Sequence, residues 1–250
     1  MNSPNPWTPH HPSLQNSWLS WLEPELLNAL EHGPQALAPL LDCVHPGVYT
    51  LPVLRAEACQ MLLDDLDHLE DWAQQHDQPI QRPNSMNMHG VILDQFGYSP
   101  ALAELIAKVF KPLCADLYPE VGGATLDHHH GFVVDYSFET DIDLGFHVDD
   151  AEVTVNLCLS DDFVGGDLFM RGRRCFHHIQ TAPNADELFD YIHTPGMAII
   201  HAGMHRHGAF PIEGGHRRNL ILWCRSHTYR QTQPHSAPCP AWCGAHTEHP

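Results

Sequence analysis

The strongest constraint on the fold is a change of texture near residue 125, where helical periodicity gives way to short β-prone runs. Beyond that point, stretches rich in Val, Ile, Leu, Phe and Tyr are separated by Gly, Pro and Asp. Short strands punctuated by turn residues are typical of all-β sandwiches and barrels. Strands are therefore predicted at residues 131–136, 152–159, 167–170, 197–202 and 219–225.

The first half of the chain is predicted to be mainly helical. Apolar residues recur at helical spacing over residues 18–32, with an interruption near Pro24, and over residues 55–76. A third helix is expected to begin with Ser99 as its N-cap and to bend at Pro112.

Together these patterns predict an α+β protein in which a helical N-terminal half packs against a C-terminal β core. The polar, Pro-rich residues 1–17 are expected to be poorly ordered. Four segments are predicted: a partly helical extension at 1–44, a helical support region at 45–124 that includes a short strand at 48–53, the β core at 125–228, and a Pro-, Cys- and His-rich tail at 229–250.

Charge narrows the range of partners. The formal net charge is −19, with only 12 Lys and Arg, which argues against nucleic acid or an anionic membrane surface as the partner. Eight arginines nevertheless lie between residues 171 and 230, a span that holds four acidic residues. A small anion would be attracted to that part of the chain.

Apolar runs and cysteines indicate the compartment. No run of about 18 apolar residues is present, so no transmembrane helix is predicted, and the N-terminus lacks the pattern of a signal peptide. The eight cysteines lie mostly in or beside apolar runs, as reduced core thiols do. A reducing, cytoplasmic location is therefore expected.

The sharpest local feature is the string Gly-Phe-His147-Val-Asp149-Asp150. In an extended segment, residues two apart point to the same face, so the imidazole of His147 and the carboxylate of Asp149 would lie side by side. Two such groups supply two of the three ligands of the facial triad of non-haem Fe(II) enzymes.

A second histidine and a cation complete the constellation. The segment around residues 201–211 offers His201, His205 and His207, followed by Arg217. His201 lies inside an apolar strand, whereas His205 and His207 are two apart and would share a face. A planar guanidinium such as that of Arg217 can hold a carboxylate with two hydrogen bonds.

Other polar residues have simpler interpretations. Asp150 should face away from Asp149 and be structural, and Asn156 faces the same way as Thr154 and could touch a co-substrate. The three consecutive histidines at 128–130 are better explained as a loop-to-strand junction than as a metal-binding segment. In the tail, Cys239-x-x-x-Cys243-x-x-His246 could bind Zn²⁺, although it offers three ligands, with His249 as a possible fourth.

These motifs resemble the Fe(II)/2-oxoglutarate-dependent dioxygenases of the prolyl and lysyl hydroxylase type. The order and gaps match over about residues 125–228, and within that group the chain is similar to the 2-oxoglutarate and iron-dependent oxygenase domain-containing proteins through the stretches at 45–53, 84–93 and 223–226. The matching motif elements are His147-x-Asp149, the turn at 162–167, Gly196, His207-x-x-x-Pro211, Arg217 and Trp223.

The resemblance implies a double-stranded β-helix, or jelly-roll, with Fe(II) held by His147, Asp149 and His207. Spacings to Pro211 and Arg217 favour His207 over His205, and Gly208 would let the backbone pass close to the metal. Arg217 matches the residue that binds the distal carboxylate of 2-oxoglutarate, where prolyl hydroxylases have Lys.

The same resemblance implies that Tyr136 hydrogen-bonds the co-substrate. The expected reaction uses O₂ and 2-oxoglutarate, releases succinate and CO₂, and hydroxylates an unidentified substrate, either a protein side chain such as prolyl or lysyl or a small molecule. L-Ascorbate is a candidate reductant. Two alternatives stay open: a zinc-type metallohydrolase built on the same ligands, and a non-catalytic cupin-like binding module.

Overall fold

A computed structural model describes residues 7–233 and 237–245 of the chain. Most of its helices lie in the first half and most of its strands in the second. The helices are α1 (Ser13–Asn16), α2 (Pro24–His32), α3 (Ala56–Gln75), α4 (Ser99–Leu105), α5 (Lys111–Leu117) and α6 (His227–Thr232), with a π-helical turn at Ile106–Phe110.

The strands are numbered in chain order, and within the described residues every pair of neighbouring strands is antiparallel. They are β1 (Asp42–His45), β2 (Val48–Pro52), β3 (Gly90–Ile92), β4 (His128–Tyr136), β5 (Leu144–His147), β6 (Val153–Cys158), β7 (Phe163–Gly165), β8 (Leu168–Arg173), β9 (Leu188–Tyr191), β10 (Met197–Ala202), β11 (His205–Ala209), β12 (Ile212–Gly215) and β13 (Arg217–Arg225).

Two main sheets form the β core. The larger has the order β1-β2-β10-β6-β13-β4-β3 and the smaller has the order β5-β11-β8-β9, while β7 and β12 pair with each other. Apolar side chains from both sheets meet between them, among them Val48 and Ile199 of the larger sheet and Met170 and Ala209 of the smaller. The α+β class and the jelly-roll core predicted from the sequence are confirmed.

Strand β6 shows how the larger sheet serves two layers at once. Val153, Val155 and Leu157 belong to the core shared with the helices, whereas Thr154 and Asn156 line a cavity on the opposite side. Because side chains alternate along a strand, one strand can bury apolar groups against helices and present polar groups to the cavity.

The helices cover the outer face of this sheet. Leu62 and Leu66 of α3 and Leu102 and Leu105 of α4 join one apolar cluster that also contains Leu220 of β13. The acidic residues of α3 are mostly on its other side. The helices thus cover one face of the larger sheet, and the polar side chains of its other face line the cavity between the two sheets.

In the N-terminal half the interruption expected near Pro24 is present, whereas the poor order expected up to residue 17 is not. The 18–32 helix is two pieces, a 3₁₀ turn at Leu19–Trp21 and then α2, because Pro24 starts a helix better than it continues one. The expectation of poor order up to residue 17 is wrong where the structure describes the chain, since Leu14 is buried in the core. Residues 1–6 lie outside the described range.

The third predicted helix differs from expectation in its N-cap and in the form of its irregularity near Pro112. Ser99 is the first helical residue rather than the N-cap, because Tyr98 already has helical dihedral angles and its carbonyl accepts from Leu102. The irregularity expected at Pro112 is the π-helical turn just before it. Proline has no N–H for the carbonyl four residues back and its ring crowds that carbonyl, so the helix widens.

The five predicted strands of the second half are present, and the short ones were not predicted. Strands β5, β7, β9, β11 and β12 have three to five residues each. Strands β1, β2 and β3 of the first half join the larger sheet, and the predicted segment boundaries stay a prediction. No helix of the described residues is long and apolar enough to cross a membrane.

Candidate metal centre

His147, Asp149 and His207 come together between the two sheets. His147 ends β5 and pairs with His207 of β11 across the smaller sheet, so their rings lie 4.3 Å apart between centroids. Asp149 follows in the loop before β6, where its backbone N–H donates to the carbonyl of Gly203 at 2.9 Å. One donor atom from each of the three side chains lies within 4.8 Å of the others.

Both imidazoles turn the same nitrogen toward this centre. Nδ1 of His147 donates to the carbonyl of Gly145 at 2.8 Å, and Nδ1 of His207 donates to the carbonyl of His205 at 2.8 Å. With Nδ1 protonated, Nε2 keeps its lone pair, which is the state that binds a metal. The Nε2 atoms of His147 and His207 lie 3.4 and 3.5 Å from the carboxylate oxygens of Asp149.

Asp149 is held as an anion. Burial alone would raise its pKa, but the neighbouring His207 and His147 outweigh burial and hold the pKa below its usual range. The hydroxyl of Thr154 donates to Oδ2 of Asp149 at 2.6 Å. The carboxylate therefore stays charged and fixed, with its outer partner on the neighbouring strand β6.

The three candidate histidines differ in their position relative to this centre. His201 is buried, with its ring 4.5 Å from that of His207, and its Nδ1 bonds the carbonyl of Ala202. His205 is also buried, and it pairs with Arg173 of β8, on the far side of a bulge in β8 from the pairing of His207 with Met170. Only His207 joins the cluster within the residues that the structure describes.

A cavity of about 160 Å³ opens beside the three side chains. Its lining includes the other residues predicted from the sequence, Arg217, Tyr136 and Asn156, together with apolar side chains from both sheets. All six predicted site residues therefore line one cavity.

Arg217 is buried in this cavity and makes no ion pair with an acidic side chain of the described residues. Its guanidinium donates from Nε to Oδ1 of Asn219 at 3.0 Å and from Nη1 to the carbonyl of Gly166, and it lies over the ring of Tyr136. Burial lowers its pKa, since no ion pair compensates the lost hydration. It is 1% exposed, so the charge has little water around it.

The other seven arginines of the 171–230 cluster do not share this condition. Each makes an ion pair in the described part of the chain: Arg171 with Asp190, Arg173 with Glu120, Arg174 and Arg206 with Glu187, Arg218 with Asp135, Arg225 with Asp150, and Arg230 with Glu152. Of the eight arginines between residues 171 and 230, Arg217 is therefore the one that we expect to bind an anion.

Hydrogen bonds position the groups around Arg217. Asn219 donates to Oδ1 of Asn156 at 2.6 Å while accepting from Arg217, so the three polar residues form one chain. Nδ2 of Asn87 donates to the hydroxyl of Tyr136 at 3.2 Å, which leaves the Tyr136 hydrogen free to be donated. Burial raises the pKa of Tyr136 to about 12, so it stays a neutral donor.

Sequence reasoning missed three polar residues of the site. Thr154 and Asn219 each lie two residues from a predicted site residue on the same strand, so the alternation of strand side chains was the available signal. Asn87 lies in a loop and had no such signal.

Asp150 and Gly208 lie next to the proposed ligands. Asp150 pairs with Arg225 and Arg230 at 2.8 Å each, which fits the structural role expected for it. Gly208 lines the cavity, and a Cβ there would lie 2.5 Å from the carbonyl of Leu144 and 2.3 Å from the ring of Phe169. The glycine is needed because the strands on either side of β11 approach it closely.

Comparison with known proteins agrees with this geometry. The OGFOD2-like domain family matches residues 5–123. A 2-oxoglutarate and iron-dependent oxygenase domain-containing protein of Arabidopsis thaliana, CP2, is 45% identical over 222 residues, which cover 88% of this chain and 56% of that protein. The chain is a relative of the 2-oxoglutarate and iron-dependent oxygenase domain-containing proteins.

The relationship extends to animals. The 2-oxoglutarate and iron-dependent oxygenase domain-containing protein 2 of Mus musculus is 38% identical over 241 residues, covering 92% of this chain and 64% of that protein. The chain thus spans between about half and two thirds of the length of these relatives.

Solved structures share the fold at low sequence identity. A prolyl hydroxylase of Trichoplax adhaerens, solved in complex with a hypoxia inducible factor oxygen degradation domain peptide fragment, matches with a TM-score of 0.57 and 14% identity over 86% of this chain and 98% of that one. AviO1 of Streptomyces viridochromogenes Tue57 matches with a TM-score of 0.51 and 15% identity over 85% and 97%. These likenesses show the jelly-roll fold.

Proposed function

We propose that this chain is an Fe(II)- and 2-oxoglutarate-dependent oxygenase that hydroxylates its substrate and releases succinate and CO₂. One observation carries the proposal: a His-Asp-His donor set and a buried arginine with no acidic partner among the described residues open onto the same cavity. The relatives named for 2-oxoglutarate and iron dependence support it.

The donor set fits Fe(II). Two neutral imidazole nitrogens and one carboxylate form the 2-His-1-carboxylate facial triad, which leaves coordination positions open on the metal. His147, Asp149 and His207 would hold the ion, and the hydrogen bonds of Gly145, His205 and Thr154 would keep the three ligands in orientation.

The cavity fits a dicarboxylate. The Arg217 guanidinium would bind the carboxylate of 2-oxoglutarate that lies far from the metal, because a buried cation without an acidic partner gains most from an anion. Tyr136 would donate its free hydroxyl hydrogen to the same molecule, and Asn156 would fix Arg217 through Asn219.

When bound, Fe(II) and 2-oxoglutarate together supply the O₂-dependent oxidising chemistry that the protein side chains lack. The protein's own contribution is positioning and exclusion of water. Phe132, Val134, Leu144, Leu168 and Ile221 form the apolar wall of the cavity and keep water from the reacting atoms.

Three finer parts of the proposal concern the substrate and the setting. The substrate is a protein side chain such as prolyl or lysyl, or a small molecule, and L-ascorbate serves as reductant. A cytoplasmic location is supported by the eight cysteines, all of which are free thiols rather than disulfides. Neither nucleic acid nor a membrane is proposed as partner.

The test is succinate formation from 2-oxoglutarate, with or without added substrate. We expect turnover only when Fe(II), O₂ and 2-oxoglutarate are all present. Undiminished turnover of some substrate with Zn²⁺ in place of iron under nitrogen would support a metallohydrolase instead. Metal binding without any 2-oxoglutarate binding would support a cupin-like binding module.

A further inference from the structure

A second group of metal-ligand side chains lies just after the end of strand β8 of the smaller sheet. Cys175 and His178 follow β8 at the 3₁₀ turn Phe176–His178, and Cys239 and Cys243 come from the tail segment 237–245. One donor atom from each lies within 4.8 Å of the other three. The two halves of the group are about sixty residues apart in sequence.

The distances in this group match a tetrahedral ion rather than simple packing. Nδ1 of His178 lies 3.3, 3.4 and 3.6 Å from Sγ of Cys175, Cys239 and Cys243, and the sulfurs of Cys175 and Cys239 are 3.5 Å apart. Four ligands at normal zinc distances, with sulfur at about 2.3 Å and nitrogen at about 2.0 Å, would be separated by about 3.5–3.8 Å.

A disulfide explains the arrangement less well. It would bring two sulfurs to about 2.05 Å and leave the third thiol and the imidazole without a role. Here a single ring nitrogen faces three sulfurs at nearly equal distances. That arrangement is expected around a common centre.

The surroundings favour thiolates at a closed site. Cys175 and Cys243 are 5% and 2% exposed, and the backbone N–H of Cys175 donates to Sγ of Cys243 at 3.4 Å. A backbone donor to sulfur stabilises a charged thiolate. The short spacings Cys-x-x-His and Cys-x-x-x-Cys are also those of structural zinc sites.

We propose that Cys175, His178, Cys239 and Cys243 bind one Zn²⁺, separate from the His147–Asp149–His207 centre. Binding displaces one proton from each of the three thiols, and the neutral imidazole donates through Nδ1. Four protein ligands leave no open position, so the ion is structural and attaches the tail to the β core. The proposal is independent of the oxygenase function.

The ligand set differs from the one suggested by the tail sequence alone. His246 and His249 lie outside the described residues, and the ligands that complete the site come from the segment after β8. The attached tail also shapes the surface near the first centre. Trp242 lines a cleft of about 370 Å³ that also borders Asp149.

The experiment measures metal content by mass spectrometry in the full chain carrying Asp149→Ala, which removes the first centre as a zinc site. We expect one Zn²⁺ per chain, retained after dialysis. Adding Cys239→Ser or Cys243→Ser should lower zinc affinity by at least ~100-fold, beyond the 10- to 100-fold typical of outer-shell changes. Cys43→Ser, at an exposed cysteine of β1, is the matched control and should keep the ion.

Two further measurements separate ligand loss from misfolding. His178→Cys should retain zinc with four thiolates, whereas His178→Ala should weaken it, although both alter the same position. Cobalt-loaded protein should show the near-ultraviolet thiolate-to-metal absorption of a tetrahedral site, and Cys239→Ser should reduce it.

The proposal is overturned if the Asp149→Ala protein supplied with Zn²⁺ binds none, or if Cys239→Ser and Cys243→Ser bind it as tightly as Cys43→Ser. Mass spectrometry under non-reducing conditions that finds a disulfide between any two of the three cysteines in freshly purified protein would also overturn it.

Discussion

Replacing Arg217 by alanine tests how the cavity selects its ligand. The side chain is 1% exposed and its partners within the protein are neutral, the amide of Asn219 and the carbonyl of Gly166. The dicarboxylate proposed here would be its sole ionic partner among the groups described. Truncating one member of a desolvated ion pair costs about 2–5 kcal/mol, which is roughly 30- to several-thousand-fold in affinity.

The assay is a calorimetric titration of 2-oxoglutarate into Fe(II)-loaded protein under nitrogen. Arg217→Ala should weaken 2-oxoglutarate binding by that factor and leave Fe(II) affinity nearly unchanged, because the proposed metal ligands come from β5, from β11 and from the loop before β6. Arg217→Lys should fall between, since an ammonium keeps the charge and loses the planar two-bond contact.

Arg218→Ala is the matched control on the same strand. Arg218 faces the opposite side, where it pairs with Asp135 at 3.0 Å and with Asp67. Its loss should lower the free energy of unfolding by on the order of 3 kcal/mol and leave 2-oxoglutarate affinity intact in the folded protein. Equal losses of co-substrate affinity in Arg217→Ala and Arg218→Ala would show that Arg217 is not the residue that binds the distal carboxylate.

Three further changes test the metal centre and its supporting strands. His207→Ala should abolish tight Fe(II) binding in a metal titration while His205→Ala retains it; the reverse pattern would exchange their roles. Thr154→Val removes the hydroxyl that donates to Asp149, and metal affinity should fall about 10- to 100-fold, with Thr154→Ser close to wild type. Gly208→Ala should lower the free energy of unfolding by about 1–3 kcal/mol in denaturant titration, because its Cβ would overlap the neighbouring strand; unchanged stability would contradict the packing described for β11.

Strand alternation explains why part of the site was predictable from the sequence. The pair His147 and Asp149, two residues apart, was visible as a motif, and the distant His207 and Arg217 were found through spacings shared with a known family. These predictions depend on a local period of two residues and on motif order, both of which are properties of the sequence itself.

The parts of the site that could not be predicted from the sequence depend on contacts between distant segments. The pairing of β5 with β11, which sets the distance between His147 and His207, joins two strands too short to be recognised in the sequence. Strand periodicity does not distinguish His205 from His207 either, because it is the pairing with His147 that brings His207 to the centre. The same holds for the approach of the tail to Cys175, because tertiary packing alone brings those residues together.

The proposed function is tested most directly by an anaerobic titration of the metal-free protein with Fe(II) and then with 2-oxoglutarate, monitored by visible absorption. We expect a weak metal-to-ligand charge-transfer band that appears only with both present, saturates at one equivalent of each, and is lost in His207→Ala. We also expect Arg217→Ala to shift the 2-oxoglutarate midpoint to higher concentration without removing the band. Fe(II) bound at the His147–Asp149–His207 centre with no absorption change on adding 2-oxoglutarate would show that the centre does not bind this co-substrate and would rule out the proposed function.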